Sequence, residues 1–207
     1  MQLGFSLEKK DIELAKALPV GAFYCPDFLA LARARDLLNW IDHQDWDGRL
    51  SRRTQHYGAV YDYTRRKTTS AKAIASLPPI LAQTARAVQA KTAQYGTPLT
   101  ATMVLVNDYQ PGQGIAPHID ATPNFGPVLA TLSLGAPVLM DFQPSAQGGA
   151  KGQKPTTLWL MPGSLLVLSG AARYDWLHGI AKRKNDRVEG RRLARGRRVS
   201  VTFRTLG

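Results

Sequence analysis

The chain has a single cysteine, Cys25, among 207 residues. One thiol excludes an intramolecular disulfide framework and any zinc site built on several thiolates, and it fits a reducing compartment. Long apolar runs are also missing. No stretch approaches the ~20 residues of a membrane span, and the opening MQLGFSLEKKDIELAKAL holds no apolar signal core. These absences predict a cytoplasmic protein that does not engage membranes. Acidic residues are scarce: 15 Asp and Glu stand against 27 Lys and Arg, a net charge of +12. Histidine is limited to His43, His56, His118 and His178, so imidazole chemistry has few places to reside. There is no internal repeat.

What is present fits one globular domain of 1–207, expected to be a monomer. Hydrophobic residues make up 44% and charged residues 20%, enough for a real core with a soluble surface. The positive charge is clustered rather than spread. Residues 182–198 carry Lys182, Arg183, Lys184, Arg187, Arg191, Arg192, Arg195, Arg197 and Arg198, opposed only by Asp186 and Glu189. A second cluster is Arg49, Arg52, Arg53, Arg65, Arg66 and Lys67. Neither has the apolar face that membrane binding wants. Such fields favour a polyanion, and nucleic acid is the expected partner.

The first hundred residues read as mixed. Helices are expected at 6–18, 29–41 and 79–95, the last with Pro at its start and Gly96 beyond its end. A short strand is expected at 22–25, a polar loop at 45–53 and a Tyr-rich strand or hairpin at 55–63. From residue 100 short β-rich runs dominate: 102–109, 128–134, 138–142, 157–160, 165–168 and 199–203. Gly/Pro turns separate them, and 145–154 reads as a flexible loop. The fold class is therefore mainly β with flanking helices. A jelly roll is the form that buries a small site between two sheets. Its core would span 100–207, with 1–48 as a helical extension packed outside.

The chemistry concentrates in PHID, WLHGI and RVSVTFR. In an extended segment residues two apart share a side, so His118 and Asp120 converge. With His178 they can make a facial triad of two imidazoles and one carboxylate, which leaves open positions on an Fe(II). Alone, the tripeptide also fits a surface turn, and His178 beside Trp176 also fits a buried structural histidine. Arg198 and Arg204 sit an even number of residues apart. On a strand they share a face with Ser200 and Thr202 while Val199, Val201 and Phe203 face the other way. Inward-facing arginines need an anion, and a 2-oxo acid supplies a carboxylate that suits a bidentate fork. At ~20 Å between Cα positions the two arginines cannot share one role. Asn107 and Tyr109 share a face of a strand leading to the His-x-Asp loop. Their alternative reading is an ordinary strand end.

The combination N107-D-Y109, H118-I-D120, H178 and R198-V-S-V-T-F-R204 resembles the AlkB family of Fe(II)- and 2-oxoglutarate-dependent dioxygenases. The resemblance covers roughly residues 50 to 207. It implies a double-stranded β-helix with N-terminal helices, and Fe(II), 2-oxoglutarate and O2 as the reacting set. It places Arg198 and Tyr109 at the distal carboxylate of 2-oxoglutarate, and Arg204 and Asn107 nearer the metal. SRRTQHYGAVYDY is similar to the family's nucleotide-recognition region, which implies a lid at 49–75 with Arg53 and Tyr57 among the substrate contacts. NDYQPGQGIAPHID, TLSLGAPVLMDF and SGAARYDWLHGI are similar to the branch that hydroxylates a wobble uridine in tRNA. Animal members of that branch carry an RNA-recognition domain, a methyltransferase and a cysteine-containing zinc site. None is expected in these 207 residues.

Many repair members have an acidic residue two positions after the metal-binding Asp. Here it is Thr122, which disfavours cationic methylated bases relative to neutral etheno adducts. A target base must leave its duplex to react, and an aromatic must receive it. The candidates are Tyr63, then Tyr61, then Tyr57, at least one of which is expected to serve core packing instead. The function expected is oxidative dealkylation of damaged nucleobases in DNA or RNA, with wobble-uridine hydroxylation as the alternative. A zinc hydrolase would not need Asn107, Tyr109 and both arginines. A non-catalytic basic nucleic-acid module would explain the charge but not the ligand set. An oxygenase of the same fold acting on a small molecule or protein would not need the basic clusters.

Overall fold

A computed structural model describes residues 18–49, 51–59, 76–149 and 152–206, together with the backbone of 61–62 and 67–68. The expected helix at 6–18 lies outside the described residues except at its last position. Two antiparallel sheets form the body. The larger has the order β1 (Ala22–Cys25), β10 (Leu165–Leu168), β7 (Phe125–Gly135), β14 (Arg198–Leu206), β5 (Met103–Tyr109) and β2 (Thr54–Gly58). The smaller runs β6 (Ile115–His118), β11 (Trp176–Ile180), β8 (Val138–Pro144) and β9 (Thr156–Leu160). This is the double-stranded β-helix that the sequence predicts. Two hairpins stand apart from it, β3–β4 (Tyr61–Asp62 and Lys67–Thr68) and β12–β13 (Asn185–Val188 and Arg191–Ala194).

Strand alternation divides the core in two. Val104 and Val106 of β5, Leu132 and Leu134 of β7, and Val199, Val201 and Phe203 of β14 face outward. They are covered by α1 (Leu31–Asp42) and α2 (Pro79–Gln94), through Ala34, Leu37 and Ile41 and through Leu81 and Val88. The helices thus pack on the outside of the β-core, as expected. Pro79 begins α2, and Gly96 (φ 73°) follows its end. The second cluster lies between the sheets. Met103, Leu105 and Leu129 meet Met140, Phe142, Leu158 and Trp176 across it. At one end this inner layer turns polar, and that end forms the cavity described below.

The β12–β13 hairpin was not legible as structure in the basic run. Its two-residue turn, Glu189-Gly190, has both φ angles positive (51° and 77°), the geometry that matches strand twist in a tight hairpin. Asp186 is buried at its base. Arg195 donates to both Asp186 oxygens at 2.7 and 2.8 Å, Arg183 donates at 2.8 Å, and the Leu139 amide adds a fourth contact. Arg195 therefore belongs to the core of the hairpin, not to an exposed basic surface. Lys182, Lys184, Arg187, Arg191 and Arg192 remain exposed. Arg197 is likewise engaged, with Asp42 and Asp108.

Candidate active site

The register of β14 against β5 sets the cavity wall. Arg198 lies opposite Tyr109, Ser200 opposite Asn107, and Thr202 opposite Leu105. All six line one cavity of about 900 Å³ with Arg204, His118, Asp120 and His178. That space suits a small-molecule site. Asp108, between Asn107 and Tyr109, points the other way and is held by Arg53 and Arg197 at 2.7 and 2.9 Å.

The histidines meet because β6 and β11 pair with His118 directly opposite His178. Their rings lie 4.5 Å apart. The approach depends on Gly179, where a Cβ would sit 2.9 Å from the Pro117 nitrogen. Nδ1 of His118 is 2.9 Å from the Ala116 carbonyl oxygen. A carbonyl only accepts, so Nδ1 carries the proton and Nε2 keeps its lone pair, the usual arrangement of a metal-ligating imidazole. That Nε2 is 3.8 Å from Oδ1 of Asp120. Burial, reinforced by His118, pushes His178 down to about 4 and keeps it neutral. Burial would raise the Asp120 carboxyl, but the cations beside it, Arg204 foremost and then Arg173, outweigh it and hold the group below its ordinary value. Two imidazoles on adjoining strands and one ionised carboxylate on the loop after β6 are the donor set that a hard-to-borderline divalent iron takes, with room left for other ligands.

The arginines differ as their spacing requires. Arg204 donates from Nη2 to Asp120 at 2.8 Å and lies 4.5 Å over the Phe125 ring, which puts it at the metal end. Arg198 is 2% exposed. Its Nη2 donates to Ser133 Oγ at 2.9 Å, its carbon lies 5.6 Å over the Tyr109 ring, and its Nε has no hydrogen-bond partner among the described residues. Burial pushes it down to about 10, still cationic at neutral pH. A buried guanidinium with an unused donor calls for an anion.

Two arginines at the site were missed at the level of sequence: Arg52, which lines the cavity, and Arg173, which lies buried behind it. Arg52 donates from Nε to Asn107 Oδ1 at 2.8 Å and lies 5.7 Å from the Tyr109 ring centre. Arg173 is 1% exposed. It follows the start of α3 (Gly170–Tyr174) and donates to the carbonyls of Asp120 (2.8 Å), Gly126 (3.4 Å) and Phe125 (3.5 Å). It therefore clamps the loop that carries Asp120. No local pattern signals either residue, since these hydrogen-bond partners lie 47 to 55 positions away.

The expected substrate contacts are only partly brought together. Thr122 lines the cavity and is exposed at its mouth. Arg53 is drawn away, with Asp108 as its partner and its guanidinium 4.4 Å over Trp46. Tyr57 also points away: it packs 5.7 Å from Trp40 and donates to Gln55 at 2.9 Å. Strand alternation along β2 puts it on the helix-covered face, so it serves the packing expected of at least one tyrosine. Tyr61 contributes backbone to β3, and its side chain lies outside the described residues, as does Tyr63 altogether.

A double-stranded β-helix with this donor set and an inward arginine defines a class, the iron oxygenases that consume 2-oxoglutarate. The model of the 2OG-Fe(II) oxygenase superfamily matches residues 32–204. The chain is 32% identical over 201 residues to the alkylated DNA repair protein ALKBH8 homolog of Arabidopsis thaliana, covering 90% of this chain and 58% of that one. It is 32% identical over 185 residues to the tRNA (carboxymethyluridine(34)-5-O)-methyltransferase alkbh8 of Xenopus tropicalis, covering 85% of this chain and 27% of that one. The chain thus spans between about a quarter and three fifths of these relatives. The solved structure of OsALKBH1 superposes with a TM-score of 0.65 at 19% identity, over 91% of this chain and 99% of that one, which is a likeness of fold. The chain belongs to the 2OG-Fe(II) oxygenase superfamily, and its likeness to the ALKBH8 proteins fits an AlkB-family dioxygenase. It is an enzyme whose reacting set is Fe(II), 2-oxoglutarate and O2. Among the described residues no helix is long and apolar enough to cross a membrane.

Proposed function

We propose that this enzyme dealkylates damaged nucleobases in DNA or RNA, and that it prefers neutral adducts such as etheno bases to cationic methylated ones. His118, Asp120 and His178 hold Fe(II). Arg198, with Tyr109, takes the distal carboxylate of 2-oxoglutarate. Arg204 fixes the Asp120 carboxylate, and Asn107 supports the metal end. The iron with its cosubstrates supplies the oxidising power to hydroxylate a carbon next to the base. If that carbon is an alkyl carbon on a ring nitrogen, the C–N bond of the resulting hemiaminal breaks, the base recovers its nitrogen, and the alkyl group leaves as an aldehyde. For an etheno bridge, one oxygen atom would add to its carbon–carbon double bond and water would complete a diol with two hemiaminal carbons; both C–N bonds then break, the base is restored and the two-carbon bridge leaves as a dialdehyde.

The observation that carries the preference is the charge of the cavity. Among the described residues its only lining carboxylate is Asp120, while Arg52, Arg198 and Arg204 all line it. A cationic methylated base would meet several arginines and, among the described lining residues, no carboxylate other than Asp120, which Arg204 already holds. A neutral etheno base would not. The test uses matched oligonucleotides bearing etheno-adenine and 1-methyladenine, with base composition read by mass spectrometry. Etheno removal should be the faster; faster methyl removal would reject the preference but not repair itself.

A second reading is side-chain hydroxylation of a wobble uridine in tRNA, where the product keeps its hydroxyl. The likeness to the ALKBH8 proteins of Arabidopsis and Xenopus supports it, and uridine too is neutral. Modified tRNA belongs in the same assay, and hydroxylated uridine as the sole product would replace the repair reading.

The exposed hairpin supports a polyanionic partner. The Gly112 amide donates to the Arg183 carbonyl at 3.3 Å, so the base of the hairpin sits beside the turn that leads into β6. Neutralising Arg187, Arg191 and Arg192 should weaken nucleic-acid binding and flatten the dependence of log K on log salt by up to about 2–3. Succinate formation without nucleic acid should be unchanged. A wild-type salt slope would make these residues an ordinary solvated surface. Arg195 does not belong in this variant, because its loss would strand the buried Asp186.

A further inference from the structure

We propose that Tyr174 is the aromatic platform that receives the target base, an inference that rests on the nucleobase reading above. Three aromatic rings line the cavity: Tyr109, Phe125 and Tyr174. Tyr109 is 7% exposed and lies beside Arg52 and Arg198. Phe125 is 3% exposed and lies under Arg204. Tyr174 is 40% exposed, so it alone among the described lining aromatics presents ring surface to an incoming ligand. The other large exposed apolar residues, Val20 and Leu31, are not at the cavity.

The ring is braced rather than loose. The Arg173 guanidinium sits 5.0 Å over it, and that guanidinium is fixed to the carbonyls of Asp120, Phe125 and Gly126. One face of Tyr174 is thereby tied to the loop that holds a metal ligand, leaving the other for a planar group. The helix carrying it is pinned as well. The Ala172 amide donates to the Val20 carbonyl at 2.9 Å and the Asp175 amide to the Ala171 carbonyl at 2.8 Å. An ordered, half-exposed ring four residues before His178 is a pre-organised stacking surface. Stacking reads the π-face of a base and not its edge.

The experiment measures steady-state conversion of an etheno-adenine oligonucleotide by the full chain with Fe(II) and 2-oxoglutarate. Tyr174→Ala should raise KM for the oligonucleotide roughly ten- to a hundredfold, the range expected for one lost base stack. The KM for 2-oxoglutarate should stay at its wild-type value, which also shows that the variant is folded. Tyr174→Phe and Tyr174→Trp should keep near wild-type KM, because they keep the ring. An unchanged oligonucleotide KM in Tyr174→Ala overturns the proposal and returns the role to the lid tyrosines. A Tyr174→Phe variant as impaired as Tyr174→Ala also overturns it, since the hydroxyl would then be what matters. The substrate reading is judged separately, on wild-type turnover. If the wild type converts no nucleobase, both readings fall; if it does and Tyr174→Ala matches it, only this one does.

Discussion

Asp120→Ala should abolish iron-dependent succinate formation and weaken Fe(II) binding by at least ~100-fold, more than the 10- to 100-fold typical of losing a residue behind a ligand. Among the described residues Asp120 is the only carboxylate lining the cavity. Its removal takes away a donor and the carboxylate that the Arg204 Nη2 reaches at 2.8 Å, leaving that cation beside the two histidines. Two imidazoles would then face a dication without the carboxylate. Asp120→Asn keeps the shape and loses the charge, so it should be nearly as damaging. Iron titration followed by ligand-induced thermal shift, together with succinate yield by mass spectrometry, separates lost binding from lost turnover. Wild-type turnover in Asp120→Ala would remove the residue from the ligand set.

Arg198→Lys should raise KM for 2-oxoglutarate about 10- to 100-fold, corresponding to the ~1.5–3 kcal/mol of a hydrogen bond to a charged group. The site is built for a fork. Arg198 is 2% exposed, one nitrogen is held by Ser133, and its Nε is unused among the described residues. Lysine would keep a charge there but could not donate in the same plane. The KM for the nucleic-acid substrate should change little, because the hairpin cations and Tyr174 lie elsewhere. An unchanged 2-oxoglutarate KM would mean that the cosubstrate carboxylate is held by another group.

The alternation on β14 was the most legible part of the site. Val199, Val201 and Phe203 are apolar and Arg198, Ser200, Thr202 and Arg204 polar, so a period of two is visible without any partner. The strands that carry the histidines were not legible as strands. β6 has only four residues including Pro117, and β11 contains Gly179, both poor strand formers by local propensity. Their pairing is decided by the close approach that Gly179 permits. The β12–β13 hairpin was hidden because it is polar on both faces, which leaves no hydrophobic period. The role of Arg195 follows from Asp186, nine positions earlier, and only the hairpin brings the two together. Composition correctly marked the region as basic but could not separate Arg195 and Arg197, which are spent on carboxylates, from the exposed arginines of the turn. Arg52, Arg173 and Tyr174 were missed for a related reason: their significance comes from cavity geometry, to which the sequence contributes no short-range signal.

The most direct test of the account is a coupled stoichiometry under heavy-isotope dioxygen. Wild-type enzyme is given Fe(II), 2-oxoglutarate and an etheno-adenine oligonucleotide, and mass spectrometry follows succinate and restored adenine together. The account predicts one succinate for each restored base, one heavy oxygen in the succinate, and no restoration when 2-oxoglutarate is withheld. Base restoration without succinate, or succinate formation that no nucleobase substrate ever increases, would contradict it.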